Sequence, residues 1–172
     1  MKPFFKIILF FTFLALYCGQ AKAQVTNFQA YSLFVMNIAK YTSWPENTTK
    51  FELVVVGKSK IYEELSKKAN QFQVNGHPIA FRQVDNVADI KDAQIIYISD
   101  NKSSLLDEIQ SVTDGKPVLL IGEREGLHKK GAGFSFVLTE DSKLRFDINN
   151  TELNKRHIKI SKTLTSLANS II

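Results

Sequence analysis

The chain has 172 residues, 44% of them hydrophobic and 23% charged, with a formal net charge of +5. That balance suits a folded chain with a real core and excludes a disordered or low-complexity one. Its one cysteine, Cys18, excludes an internal disulfide framework.

The first residues have the three parts of an export signal. Lys2 and Lys6 give a positive start, an apolar run extends from Ile7 to Tyr17, and Ala21-Lys22-Ala23 supplies a small-x-small cleavage site before Gln24. The run is far shorter than the ~20 residues a membrane-spanning helix needs. The sequence therefore predicts a signal peptide at 1–23, cleaved to leave one domain at 24–172 in the periplasm. A lipoprotein site at Cys18 is the weaker alternative, because the bulky Tyr17 stands where a small residue is wanted. Cleavage removes Lys2, Lys6, Lys22 and no acid, so the net charge falls to +2 and Cys18 is lost. Nucleic acid is excluded as an expected partner, since no basic stripe with interleaved aromatics remains.

From Phe28 to Trp44 the spacing predicts a helix that is apolar nearly all round, with Lys40 its sole charge. Such a helix needs burial on several sides, by its own sheet, a partner chain or both. Tyr31, Phe34, Met36, Tyr41 and Trp44 are its candidate partner or dimer contacts, and Trp44-Pro45 is the expected stop. The β-branched run Phe51–Gly57 reads as a central strand. A helix capped by Ser59 and running to about Asn70 follows, then a turn at Asn75-Gly76 and a more exposed strand at Ile79–Val84. Val87–Ile90 reads as a short helical segment and Gln94–Ile98 as a third strand. A helix from Ser99 should turn Leu105, Leu106, Ile109 and Val112 inward and end at Asp114-Gly115. Pro117–Gly122 is a fourth buried strand.

After Gly131-Ala132-Gly133, the runs Phe134–Leu138 and Leu144–Ile148 are separated by a polar turn and predict an antiparallel hairpin. The second run alternates, which predicts one solvated face. A closing helix from Ser161 should dock Ile160, Leu164, Leu167, Ala168 and Ile171 on the sheet. The expected fold class is α/β: a single layered domain whose mostly parallel central sheet is flanked by helices, with an antiparallel hairpin near the C-terminus.

No catalytic constellation emerges from spacing. His77, His128 and His157 fall in turns or loops, where solvent exposure is the expectation; a metal site would need Asp85, Glu123 or Asp147 to converge on them. There is no Gly-x-Ser-x-Gly elbow. Gly57-Lys58-Ser59 resembles the end of a phosphate loop, but Glu52 stands where the first glycine is required. Glu123, Arg124, Glu125, Lys129 and Lys130, in the loop after the fourth strand, are recognition-loop candidates, because ligands tend to bind beyond the carboxyl ends of such strands. Neither a metal nor a cofactor is expected.

The chain resembles the YfiR-like family of periplasmic regulators. The segment Ser32–Pro45, ending in an aromatic-rich Trp-Pro, is similar to the family's opening, and Leu53–Gly57 to its next strand. Gly131-Ala132-Gly133-Phe134, Leu144–Asn149 and Ile158–Ala168 are similar to its closing motifs. The resemblance implies a non-enzymatic homodimer that binds the periplasmic portion of an inner-membrane signalling protein, such as a diguanylate cyclase in cyclic-di-GMP signalling, and inhibits it. The disulfides that some relatives use have no counterpart here. Two other readings stay open: a small-ligand-binding sensor, with a pocket near Gly57, Ser99 and Gly122 and a sensor kinase as its partner, and a hydrolase with a non-standard site.

Overall fold

The computed structural model describes residues 23–45 and 51–172. All but the last residue of the expected signal peptide therefore lies outside the described residues. No helix among those described is long and apolar enough to cross a membrane.

The first helix, α1 (Ala23–Lys40), ends four residues before the expected stop at Trp44. Thr42–Ser43 (β1) leave the helix to pair antiparallel with Lys159–Ile160 (β9). A pairing to residues more than a hundred positions away overrides the local helical pattern.

The remaining strands form one curled sheet. In chain order they are β2 (Phe51–Val56), β3 (Gln73–Val74), β4 (His77–Val84), β5 (Ile95–Ile98), β6 (Leu119–Gly122), β7 (Phe134–Leu138), β8 (Leu144–Ile148) and β10 (Ser170–Ile171); across the sheet they run β10-β8-β7-β6-β5-β2-β4-β3. β2 pairs in parallel with both β4 and β5, and β5–β6 and β6–β7 are parallel too. The expected hairpin is present, with Phe136 opposite Phe146 in antiparallel β7–β8. Asn75 and Gly76, both at positive φ (52° and 79°), make the two-residue turn between β3 and β4. The fold class is therefore the mixed α/β one read from the sequence.

Strand residues alternate between two cores. Leu53, Val55, Ile95, Tyr97, Leu119 and Ile121 face α1 and α2 (Ile61–Ser66), together with Leu153 of α4 (Asn150–Lys155) and Leu164 of α5 (Lys162–Leu167). Val54, Val56, Ile96, Ile98 and Leu120 face α3 (Leu106–Val112) and the 3-10 turns around it. A parallel strand covered on both faces must be apolar on both, which is why β2, β5 and β6 are near-continuous aliphatic runs.

Several expectations fail where tertiary packing decides. Val112 is 45% exposed, not inward. Leu167 and Ile171 are 44% and 48% exposed, because α5 is short and Ser170–Ile171 leave it to add a parallel strand to β8. The polar face expected of β8 is absent, since Phe146, Asp147 and Ile148 are all buried. Helix α4 sits in a stretch for which the sequence suggests no element; its N-cap Asn149 accepts a 2.8 Å hydrogen bond from the Glu152 amide.

Candidate functional site

The sheet reverses its winding between β2 and β5. The chain leaves β2 toward β4 on one side and returns to place β5 on the other, so the connections after the two strands diverge and open a crevice at their carboxyl ends. A cleft of about 540 Å3 occupies this point, lined by Lys58, Ser59 and Lys60 after β2, Ser99, Asp100 and Asn101 after β5, and Glu123 after β6. Phe28 and Tyr31 of α1 close its side.

Gly57 brings the β2 loop into place. Its φ is +94°, and a Cβ there would meet Lys102 Cγ at 2.5 Å and Asn101 Oδ1 at 2.8 Å, so the two loops touch through bare backbone. Asn101 donates across them to the Lys58 carbonyl (3.4 Å). Ser59, expected as a simple helix cap, accepts a 3.4 Å bond from the Ile61 amide and also donates to Glu123 Oε2 at 3.3 Å.

Glu123 stands on the floor. Its Oε2 accepts from Ser59 Oγ and from the Asp100 amide, each at 3.3 Å. Burial pushes its carboxyl above the usual range, an effect those hydrogen bonds only partly offset and the charge of Asp100 reinforces. Asp100 itself is held below the usual range by Arg124, which bonds it at 2.7 Å. The Ser99 hydroxyl is buried without a hydrogen-bond partner, and the buried Tyr97 phenol lies close to the Glu123 carboxylate. Burial, and then the charge of Glu123, push the Tyr97 phenol well up.

The recognition-loop candidates therefore divide. Glu123 enters the cleft, and Arg124 fixes Asp100 at its rim. Glu125, Lys129 and Lys130 are exposed on the far part of the loop, outside the cleft.

The first-helix candidates divide as well. Tyr31 stacks edge-on to Phe136 (centroids 4.8 Å apart), and Phe34 packs on Phe136 and Phe146. Trp44 packs edge-on to Phe51 at 4.7 Å, with its indole Nε1 buried and unpartnered. Met36 is 3% exposed, part of the core, and presents no surface to a partner. Most of the apolar excess of the helix is thus spent within the chain. What remains outward is Tyr41, 37% exposed with the Lys40 ammonium 5.6 Å from its ring centroid, and Leu33, 54% exposed, which the sequence reading passed over.

The histidines depart from expectation. His157 is exposed and His77 half-buried, but His128 is 1% exposed. Its Nδ1 lies 2.7 Å from Ser135 Oγ and 3.7 Å from Asp147 Oδ2, while Nε2 is buried with no partner. These residue types match a hydrolytic triad, but the geometry does not. In a triad the acid holds one ring nitrogen and the serine uses the other; here both approach Nδ1, and Ser135 is sealed within β7. Asn169 and Ser170 each donate to Asp147 Oδ1 at 2.8 Å, tying the cluster to β10. Among the described residues no three His, Cys, Asp or Glu side chains are placed to hold a metal ion.

A family model described as YfiR/HmsC-like matches residues 28–169, which include most of α1, the cleft and the hairpin. A search of curated proteins gives no significant match. Among solved structures, a conserved domain protein from Vibrio cholerae O1 biovar El Tor is similar at 14% identity and TM-score 0.54, over 82% of this chain and 60% of that one. An ABC domain in complex with L-Trp from Streptococcus pneumoniae is similar at 12% identity and TM-score 0.55, over 80% of this chain and 59% of that one. The chain thus spans about three fifths of the length of each, and at these identities the likeness is one of fold.

Proposed function

The chain belongs to the YfiR/HmsC-like family, and from that premise we propose that it is a non-enzymatic periplasmic regulator that binds the periplasmic portion of an inner-membrane signalling protein, such as a diguanylate cyclase, and holds it inactive. The single observation that carries this reading is the reach of the family match, which runs from the middle of α1 to the residue before β10. The sealed Ser135–His128–Asp147 cluster supports a non-catalytic role, because a nucleophile that no substrate can reach does no chemistry.

The contact surface in this proposal is the outward face of α1 and the turn that ends it, with Leu33 and Tyr41 as its exposed apolar residues. Tyrosine is enriched among the residues that carry binding energy at interfaces, and Leu33 adds exposed apolar area. The same face is proposed to serve the homodimer. Pull-down of detergent-solubilised membranes with the purified protein is expected to recover an integral membrane signalling protein, and deletion of the gene to raise cyclic-di-GMP. The double variant Leu33→Asp, Tyr41→Ala should abolish the capture and shift light scattering from dimer to monomer mass. Recovery of no such protein, with cyclic-di-GMP unchanged on deletion, overturns the regulator. Unaltered capture and mass by the double variant move the surface elsewhere.

A further inference from the structure

We propose that the cleft at the carboxyl ends of β2, β5 and β6 binds a small organic ammonium ion, seated on the Glu123 carboxylate and against the rings of Phe28 and Tyr31. This goes beyond the regulator reading and does not depend on it.

The chemistry follows from what the cleft leaves unsatisfied. Asp100 has Arg124 as its counter-ion, but no cation of the described residues pairs with Glu123. Its two hydrogen bonds of 3.3 Å both fall on Oε2, and the nearby Tyr97 phenol offers a neutral donor, not a charge. A half-buried carboxylate so placed is stabilised by a cation that brings its own N–H donors, because charge-assisted bonds are roughly twice as strong as neutral ones. Burial raises the Glu123 carboxyl, and the hydrogen bonds it accepts offset that rise only in part.

A second observation points the same way. Ser99 lines the cleft at 1% exposure, and its buried hydroxyl has no hydrogen-bond partner. Burying a polar group without a partner is destabilising, so the folded chain gains when a ligand supplies one. The third is the wall: the Phe28 and Tyr31 rings lie 6.0 Å apart and tilted by 39°. Aromatic faces attract organic cations, and more strongly where water is excluded.

Lys58 and Lys60 also line the cleft and would favour an anion instead. Both are exposed, where water screens them, while Glu123 is half-buried on the floor, so an anion seated there would meet like charge at the point of contact. A volume of about 540 Å3 sets the ligand at small-molecule size.

Benzylammonium, benzyl alcohol and benzoate share a ring and differ in charge, which makes them the discriminating probes. Titrated into isotopically labelled protein at pH 7, benzylammonium is expected to give saturable amide shifts at Tyr31, Ser99, Asp100 and Glu123. Benzyl alcohol should bind at least roughly tenfold more weakly, a difference of about 1.4 kcal/mol, and benzoate should give no saturable shift. Glu123→Gln keeps the size and hydrogen-bonding capacity of the side chain and should weaken benzylammonium by roughly tenfold or more, and Tyr31→Leu by less. Stronger binding of benzoate, equal binding of the alcohol, no saturable shift with benzylammonium, or an unchanged affinity in folded Glu123→Gln would each overturn the proposal.

Discussion

Glu123 and His128 lie on the same loop, and burial opposes the charged form of each, with opposite consequences for pH. The carboxyl of Glu123 is pushed up in the folded chain, so its contribution to stability is fully present at low pH and is lost as pH rises through the raised value. At neutral pH the ionised carboxylate weakens the fold, and Glu123→Gln is expected to raise the melting temperature at pH 7 by roughly 1–3 °C. An equal gain at pH 3, where the carboxyl is protonated in the folded and unfolded chain alike, would refute that account. The imidazole of His128 is pushed down, first by burial and then by Lys129, against the opposing pull of Asp147 and Glu125. Its stabilisation is therefore present above the unfolded value of about 6.5 and declines as pH falls toward the folded value. Chemical unfolding between pH 7 and 5 should show this decline, and His128→Gln should flatten it. A slope unchanged in the variant would assign the acid sensitivity to other groups. Little of this was legible in the sequence. A histidine two residues beyond a glycine reads as a loop residue, and only the Gly126–Gly131 turn, which folds Leu127 and His128 back under β7, puts it inside.

Among the elements, the long ones could be read from the chain and the two-residue ones could not. The aliphatic runs of β2, β5 and β6 encode double-sided burial in their own composition, and the Asn75-Gly76 and Glu140-Asp141-Ser142 turns encode theirs in backbone preference. Strands β1, β9 and β10 have no such signature, because a pair of residues becomes a strand only when a distant partner is already in place. The same dependence explains the failed alternation of β8. Asp147 reads as a solvated position until β10 arrives to cover it and its carboxylate accepts from Asn169 and Ser170. Hydrogen bonds to charged groups are worth about 1.5–3 kcal/mol each, so deleting residues 169–172 should lower the unfolding free energy by about 3 kcal/mol or more. It should also bare the edge of β8, and a bare edge invites pairing between chains. Denaturant unfolding and light scattering check the two effects, and a truncated protein as stable and as monodisperse as the parent would refute both.

At the scale of the molecule, a doubly wound sheet places its crevice wherever the winding reverses, so alternating strands and helices already implied a site near Gly57, Ser99 and Gly122. What the sequence could not supply was the burial of Glu123, the unpartnered Ser99 hydroxyl, or how fully the sheet absorbs the apolar excess of α1, since each depends on several elements meeting at once. The seam where α1 gives way to β1 has one more property. Trp44, the sole tryptophan of the chain, packs edge-on to Phe51 beside the β1–β9 pair and shares a groove of about 680 Å3 with His157, Ile158 and Lys159. One indole in one environment means that all tryptophan emission of the protein comes from a single address. Any event that loosens the tie between the end of α1 and the C-terminal elements will therefore register as a red shift in native fluorescence, so the fold carries its own unlabelled reporter at the junction where its first and last segments are joined.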